Sequence, residues 1–287
     1  MPPKGGGLIP TQSPIFHALH AERYSRQELI RTYEERYSCR LVVVIDAIFG
    51  YSTTYLEELL FDADSGEDLH LMLASPGGDG EAAIRLVRIA QSRCRELTVV
   101  VPDQAKSAAT LLVLGAHSIL MGPASDLGPV DPQFQLADGS LAAAKDIIGA
   151  VDHATSEVQQ APDTYPIHAA LLSDVNALMV QQARSALQRT TDLVEEALKS
   201  CTGRTDGDVA ELERRLREPL IQKPTSHAAV FGASDALAAG LPVITADPVS
   251  EQWQLIWRLW AKYFAMGPPR VYEGHVASHI FDWPGDQ

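Results

Sequence analysis

Two short stretches of this 287-residue chain carry residue types that suit a reactive site. One is Ser75-Pro-Gly-Gly-Asp-Gly80 and the other is Pro102-Asp-Gln-Ala-Lys-Ser107. Glycine at 77 and 78 reaches positive φ without penalty and leaves backbone N–H groups facing open space, which suits an anion or a developing oxyanion. The same pair also reads as a tight turn with no ligand. Its spacing is neither G-x-G-x-x-G nor G-x-x-x-x-G-K-[ST], so a nucleotide is not indicated. Ser107 opens the apolar run Ala108 to Leu114 and has two readings as well. Its hydroxyl caps the following helix, or it points into a cleft as a nucleophile. In the second reading the N–H groups of Ala108 and Gly78 form an oxyanion hole, and the small Ala105, Ala108 and Ala109 let a substrate backbone approach.

The two stretches meet only if strands bring them side by side. Arg40 to Asp46 is a β-branched run expected to be buried on both faces, as in a parallel sheet. Leu69 to Ala74, Leu97 to Val101 and Ser118 to Met121 read as further strands. Helices are expected over Tyr55 to Phe61 and over Glu81 to Cys94, where Ile84, Val87, Ala90 and Cys94 share one face. Both stretches then lie at the carboxyl ends of consecutive strands, where open α/β sheets place their sites. The Pro/Gly-rich segment Gly122 to Gln133 reads as a long ordered loop. Leu141 to Val151, Ile167 to Leu198 and Asp208 to Leu216 read as helical. Ala233 to Ile244 reads as a short helix, a stop at Gly240 and a last strand. At the start, a disordered tail of a dozen residues precedes a surface helix over Pro14 to Tyr37. The segment Trp253 to Trp283 holds all four tryptophans and must pack on something, with an arm over a neighbouring subunit as the expectation. The divisions expected are 1–38, 39–246 and 247–287.

Composition removes several function classes. A formal charge of -14 repels phosphate backbones, so nucleic acid is not expected as a partner. No apolar run approaches the ~20 residues of a membrane span and the N-terminus lacks a signal-peptide block, which points to the cytoplasm. Cys39, Cys94 and Cys201 form no C-x-x-C pair, so neither a disulfide framework nor a metal site is expected.

Taken together, S-P-G-G after a strand, K-S-A-A-T opening an apolar helix, M-G-P-x-S-x-L-G-P-V-D-P-Q, and A-L-A-A-G-L-P-V near the end resemble the serine dehydrogenase proteinase family. That family is a branch of the ClpP/crotonase fold related to signal peptide peptidase A, and the resemblance runs roughly from Leu41 to Val243. It implies an α/β fold of repeated β-β-α units with a mostly parallel sheet, here with an N-terminal helix and a C-terminal aromatic tail added. It also implies a serine peptidase acting on a peptide or protein substrate without a cofactor, assembled as a homo-oligomer. Ser107 would be the nucleophile, Gly78 and Ala108 the oxyanion donors, and Gly77 and Asp131 parts of the supporting loops.

A serine hydroxyl needs a positioned base. In the Clp protease subunit a histidine comes from the loop after the next strand, and here Asp131 stands near its place. Signal peptide peptidase A and its membrane-associated relatives, which this chain resembles more closely, use a lysine. Lys145, in the apolar setting Ala142-Ala-Ala-Lys-Asp-Ile-Ile, is the preferred base, because burial there would favour a neutral amine. Lys106 is the alternative, although consecutive residues at a turn point their side chains apart. Lys145 as a solvated helix residue is the competing structural reading. His117 lies about 15 Å from Ser107 by helical rise and reads as a helix-end residue, with His153 and His168 ranking below the lysines. At least one of Asp126 and Asp131 is expected to cap a turn, with an orienting role toward a catalytic group as the alternative for Asp131. Two other functions stay open: a scaffold of the same fold without a working base, and a crotonase-type thioester enzyme. The latter needs a place for an adenine nucleotide, and no basic cluster is placed to hold its phosphates.

Overall fold

The computed structural model describes residues 13–136, 139–222, 229–267 and 269–281; the predicted N-terminal tail and Trp283 lie outside them. Seven strands form the central sheet. They are β1 (Cys39–Ile45), β2 (Asp68–Ala74), β3 (Leu97–Val101), β5 (Ser118–Met121), β10 (Val243–Thr245), β11 (Arg270–Glu273) and β12 (Ser278–Phe281), in the order β10-β5-β3-β2-β1-β11-β12. The first five run parallel, and β11 and β12 close the edge as an antiparallel hairpin. Short strands β4 (Gln104–Ala105), β6 (Asp126–Leu127) and β9 (Phe231–Gly232) make a second, three-stranded sheet, and β7 (Gln133–Gln135) pairs with β8 (Leu141–Ala143).

Side chains of a strand alternate between its faces, so the sheet builds two cores. Val42, Val44, Leu71, Leu73, Val99 and Val101 face helices α3 (Gly50–Leu59), α4 (Gly80–Ser92), α5 (Ala108–Leu114), α8 (Ala177–Ser200) and α9 (Asp206–Arg217). Leu41, Val43, Ile45, Met72, Val100 and Leu120 face α2 (Ala21–Tyr37) and α11 (Glu251–Phe264). This two-sided covering is why β1 is apolar without a break from Leu41 to Ile45. The chain is thus a mixed α/β fold with a mostly parallel central sheet.

Several expected element limits need correction. The helix read over Pro14 to Tyr37 is two, α1 (Pro14–Leu19) and α2, broken at His20, which leaves helical geometry at φ −112, ψ 13. Leu141 to Ala143, read as helical, is strand β8; pairing with Gln133 to Gln135 overrides the helix preference of Leu and Ala, and α6 (Ala144–Gln160) starts after it. The described part of the aromatic tail packs on its own chain. Its Trp253, Tyr263 and Tyr272 are buried in this chain's own core, and β11 pairs with β1 in the register Val44 to Tyr272. The long helical region from 167 is also divided, into α7 (Tyr165–Leu171) and α8, where Asn176 accepts a hydrogen bond from the Met179 amide and starts the second helix.

A buried ion pair fastens the tail. The guanidinium of Arg26 on α2 donates to both oxygens of Glu273 on β11, at 2.7 and 3.2 Å, and the Tyr263 hydroxyl donates to the same carboxylate at 2.6 Å. On the same side of the sheet, the Tyr33 hydroxyl bonds Nδ1 of His70 on β2 at 2.7 Å and is itself met by the Gln252 amide. Burial pushes the His70 pKa down from 6.5 to about 4, only partly opposed by Asp68. The folded state therefore resists protonation of this ring while the unfolded chain accepts it. Its contribution to stability is whole above pH 6.5 and is lost as the pH falls toward 4. Urea unfolding at pH 7, 5.5 and 4.5 should show this loss, and His70→Gln should flatten that part of the profile.

Candidate active site

Ser107 occupies an unusual backbone position. It has φ 50 and ψ −117, the geometry of the first central residue of a type II′ turn, and the Ala109 amide closes the turn on the Lys106 carbonyl at 2.8 Å. For a residue with a Cβ such a conformation costs roughly 1–3 kcal/mol. It sits at the N-cap of α5, yet its side chain makes no cap hydrogen bond, and its hydroxyl has no partner among the described residues. The capping role is therefore not the one its hydroxyl performs.

The turn is held from behind. The Lys106 amide donates to Ser75 O at 3.0 Å and the Ser75 amide to Gln104 O at 2.9 Å, which extends the β2–β3 pairing beyond the strands. The Thr110 hydroxyl lies 2.8 Å from Ala105 O and 2.9 Å from Gly128 O. Lys106 is buried, its ammonium ion-paired with Asp126 and near the carbonyls of Leu127 and Ala229. Its stem fills the space beside Gly128, where a Cβ would lie 2.3 Å from Lys106 Cδ.

Beside this turn runs the glycine loop. Gly77 and Gly78 have φ 103 and 141, and a Cβ would meet Ser107 Cβ at 2.7 Å in the first case and Ile48 O at 2.2 Å in the second. Ile48 clasps the loop by donating to Gly77 O at 2.8 Å and accepting from the Asp79 amide at 2.7 Å. The amides of Gly78 and Ala108, by contrast, donate to no acceptor among the described residues.

A cleft of ≈ 250 Å³ opens over these groups. Ser107, Gly78 and Ala108 line it together with Asp131 and Pro132 from the loop after β6, and Leu111, Thr190 and Leu193 supply wall and roof. At its mouth Arg189 of α8 grips Glu81 of α4 through two bonds of 2.7 Å and reaches Glu196 at 2.7 Å. The grip holds the Glu81 carboxyl below the usual range.

Of the residues singled out in the sequence, Ser107, Gly78, Ala108 and Asp131 share this cleft. Gly77 lies behind it against the turn, and Lys106 is tied to Asp126. Lys145 sits half-buried in the first turn of α6 and is not among the lining residues, although the Ala144 amide before it bonds Pro132 O at 2.9 Å. His117 accepts from the Leu97 amide and bonds Thr202, a helix-end role. His153 and His168 pair edge to face between α6 and α7. The sequence reading missed the partner of Lys106, the contribution of α8 and the clasp of Ile48. Asp126 had been noted, but the Glu81–Arg189 pair spans 108 positions and leaves no local pattern. Among the described residues no group of His, Cys, Asp and Glu is arranged to hold a metal, and no helix is long and apolar enough to cross a membrane.

A family described as ClpP-like SDH-type serine proteinase matches residues 62–216. The chain is 27% identical over 186 residues to the uncharacterized protein MJ0137 of Methanocaldococcus jannaschii, covering 65% of this chain and 57% of that protein. It is 31% identical over 100 residues to the membrane-bound protease PH1510 of Pyrococcus horikoshii, covering 32% and 23% of the two. A solved structure of a mutant of the 1510-N membrane-bound stomatin-specific protease aligns with a TM-score of 0.47 and 18% identity, over 75% of this chain and 82% of that one. The chain spans about half the length of the first two curated relatives, 57% and 44%.

The strain at Ser107 is measurable. Ser107→Gly removes the Cβ penalty and loses part of the gain to the freer unfolded chain, so it is expected to raise stability by about 1 kcal/mol. Ser107→Ala keeps the strain and should stay within about 0.5 kcal/mol of the parent. Denaturant midpoints of the two variants test the difference.

Proposed function

Because the chain belongs to the ClpP-like SDH-type serine proteinase family, we propose that it cleaves peptide bonds through an acyl-enzyme on Ser107. One observation carries this reading: a strained serine with an unpartnered hydroxyl shares a cleft with the two uncommitted amides of Gly78 and Ala108. Ser107 Oγ attacks the substrate carbonyl carbon and its proton passes to a base. The carbonyl oxygen, now an anion, takes the Gly78 and Ala108 N–H donors, each worth about 2.7–4 kcal/mol in such a role. The C–N bond then breaks and the base returns the proton to the leaving amine. Water repeats the sequence on the ester and frees Ser107.

Lys145 is our choice of base. Supporting it, the main chain beside Lys145 is bonded to Pro132 on the cleft wall, and Lys106 is already engaged with Asp126 and two carbonyls. A lysine works as a base only when neutral, a form that desolvation by bound substrate favours. Asp131, buried at the wall, is the group we assign to orient the base. The apolar lining from Leu111, Val130 and Leu193 suits a modest apolar side chain next to the scissile bond. A cytoplasmic location, a homo-oligomeric state and the absence of a nucleic-acid partner complete the reading, supported in turn by short apolar runs, by resemblance and by charge.

A fluorophosphonate probe tests it. The parent protein should be labelled and Ser107→Ala should not; labelling that persists in Ser107→Ala removes this serine from the reaction, and a parent that never reacts favours a scaffold. Lys145→Ala should slow labelling by about 10²–10⁴-fold, and an unchanged rate rejects this lysine.

A further inference from the structure

At the end of β1, Asp46 is 1% exposed and fully engaged. It accepts the Ala47 amide at 2.8 Å, the Tyr51 hydroxyl at 3.2 Å, the Tyr272 hydroxyl at 2.9 Å and Arg270 Nε at 3.1 and 3.2 Å. The Tyr272 hydroxyl also lies 2.8 Å from Ser52 Oγ, which accepts the Phe49 amide at 3.1 Å. The three residues Ala47, Ile48 and Phe49 are therefore held at both ends by one polar network. Their middle member is the clasp on the glycine loop, bonded to Gly77 O and to the Asp79 amide on either side of Gly78.

We infer that Asp46, with Arg270 and Tyr272, is a positioning residue that sets the Gly78 amide toward the cleft by way of Ile48. The inference rests on the reading of Gly78 as an oxyanion donor. The route is short and made of main chain: Asp46 fixes Ala47, Ile48 follows, and Ile48 fixes the residues flanking Gly78. A buried carboxylate is an expensive way to hold a loop if packing alone is needed, because apolar replacements of buried ionic groups are often neutral or stabilising. What the carboxylate adds is direction, since it accepts from four separate groups whose geometry it makes mutually dependent. Two of those groups lie on β11, and Asp46, Arg270 and Tyr272 all lie outside the family-matched residues 62–216. The C-terminal hairpin is thereby joined to the site, although it contributes no residue to the cleft.

The test compares the parent with Asp46→Asn, and with Tyr272→Phe as a milder change should the first fail to fold. Exchange of the Asp79 amide, read by NMR, is expected to accelerate about tenfold or more while amides inside β2 and α4 keep their rates. Fluorophosphonate acylation of Ser107 is expected to slow by about tenfold to 10²-fold with the half-saturating probe concentration unchanged, the signature of a displaced donor. Exchange at Asp79 that stays at the parent rate in both folded variants overturns the inference, and so does accelerated exchange with undiminished acylation. A parent protein that is not labelled at Ser107 overturns the peptidase reading, and the exchange comparison still decides whether Asp46 controls the loop.

Discussion

Hydrogen bonding between parallel strands does not stop where the strands do. The ladder continues as single bridges from Ile48 to Gly78 and from Ser75 to Ala105, across the carboxyl ends of three neighbouring strands. These bridges bring the glycine loop and the serine turn within contact distance, and they explain why neither glycine tolerates a side chain. A Cβ at Gly78 would enter the carbonyl that forms the bridge, and one at Gly77 would enter the Ser107 turn. The rest of the site is arranged around this alignment of backbone.

Polar groups in the interior divide the labour. Lys106 and Asp126 anchor the turn from below, and Arg26 with Glu273 fastens the tail to α2. Asp46 joins the same tail to the loop before α3. Each is buried or nearly so, and each would leave an uncompensated charge if one partner were removed, a loss of about 3–5 kcal/mol in typical cases. The hydroxyl of Ser107 and the amides of Gly78 and Ala108 stand outside these networks. Buried polar groups are usually paired, and these three share one cleft without a partner among the described residues.

The parallel strands were readable because each is a mainly apolar run that needs cover on both faces; β3 and β5 match their expected limits, β2 begins one residue earlier, and β1 is shifted by one residue at both ends. The loops carrying Gly78 and Ser107 were readable because turn chemistry and small residues mark them locally. Even the separation of Lys106 from Ser107 followed from local geometry. What stayed hidden depends on distant partners. Leu141 to Ala143 takes its extended form from Gln133 to Gln135, the roof from Ala186 to Leu193 requires the packing of α8 over α4 and α5, and the tail needed the exposed edge of β1 to explain its place. None of these pairings leaves a period in the sequence. Aromatic content signals burial but does not say against which surface, here the β1 edge and α2.

The edge-closing hairpin has a consequence for synthesis. Strand β1 is made early and its cap, β11, late, so a growing chain carries an open row of hydrogen-bonding groups from Val43 to Ile45. Such an edge is a template for pairing with other chains, and translation must pass through that exposure. Arg270 and Tyr272 arrive with the same hairpin. An unfinished chain emerging from the ribosome thus lacks both the cover of its β1 edge and the two β11 side chains that bond Asp46.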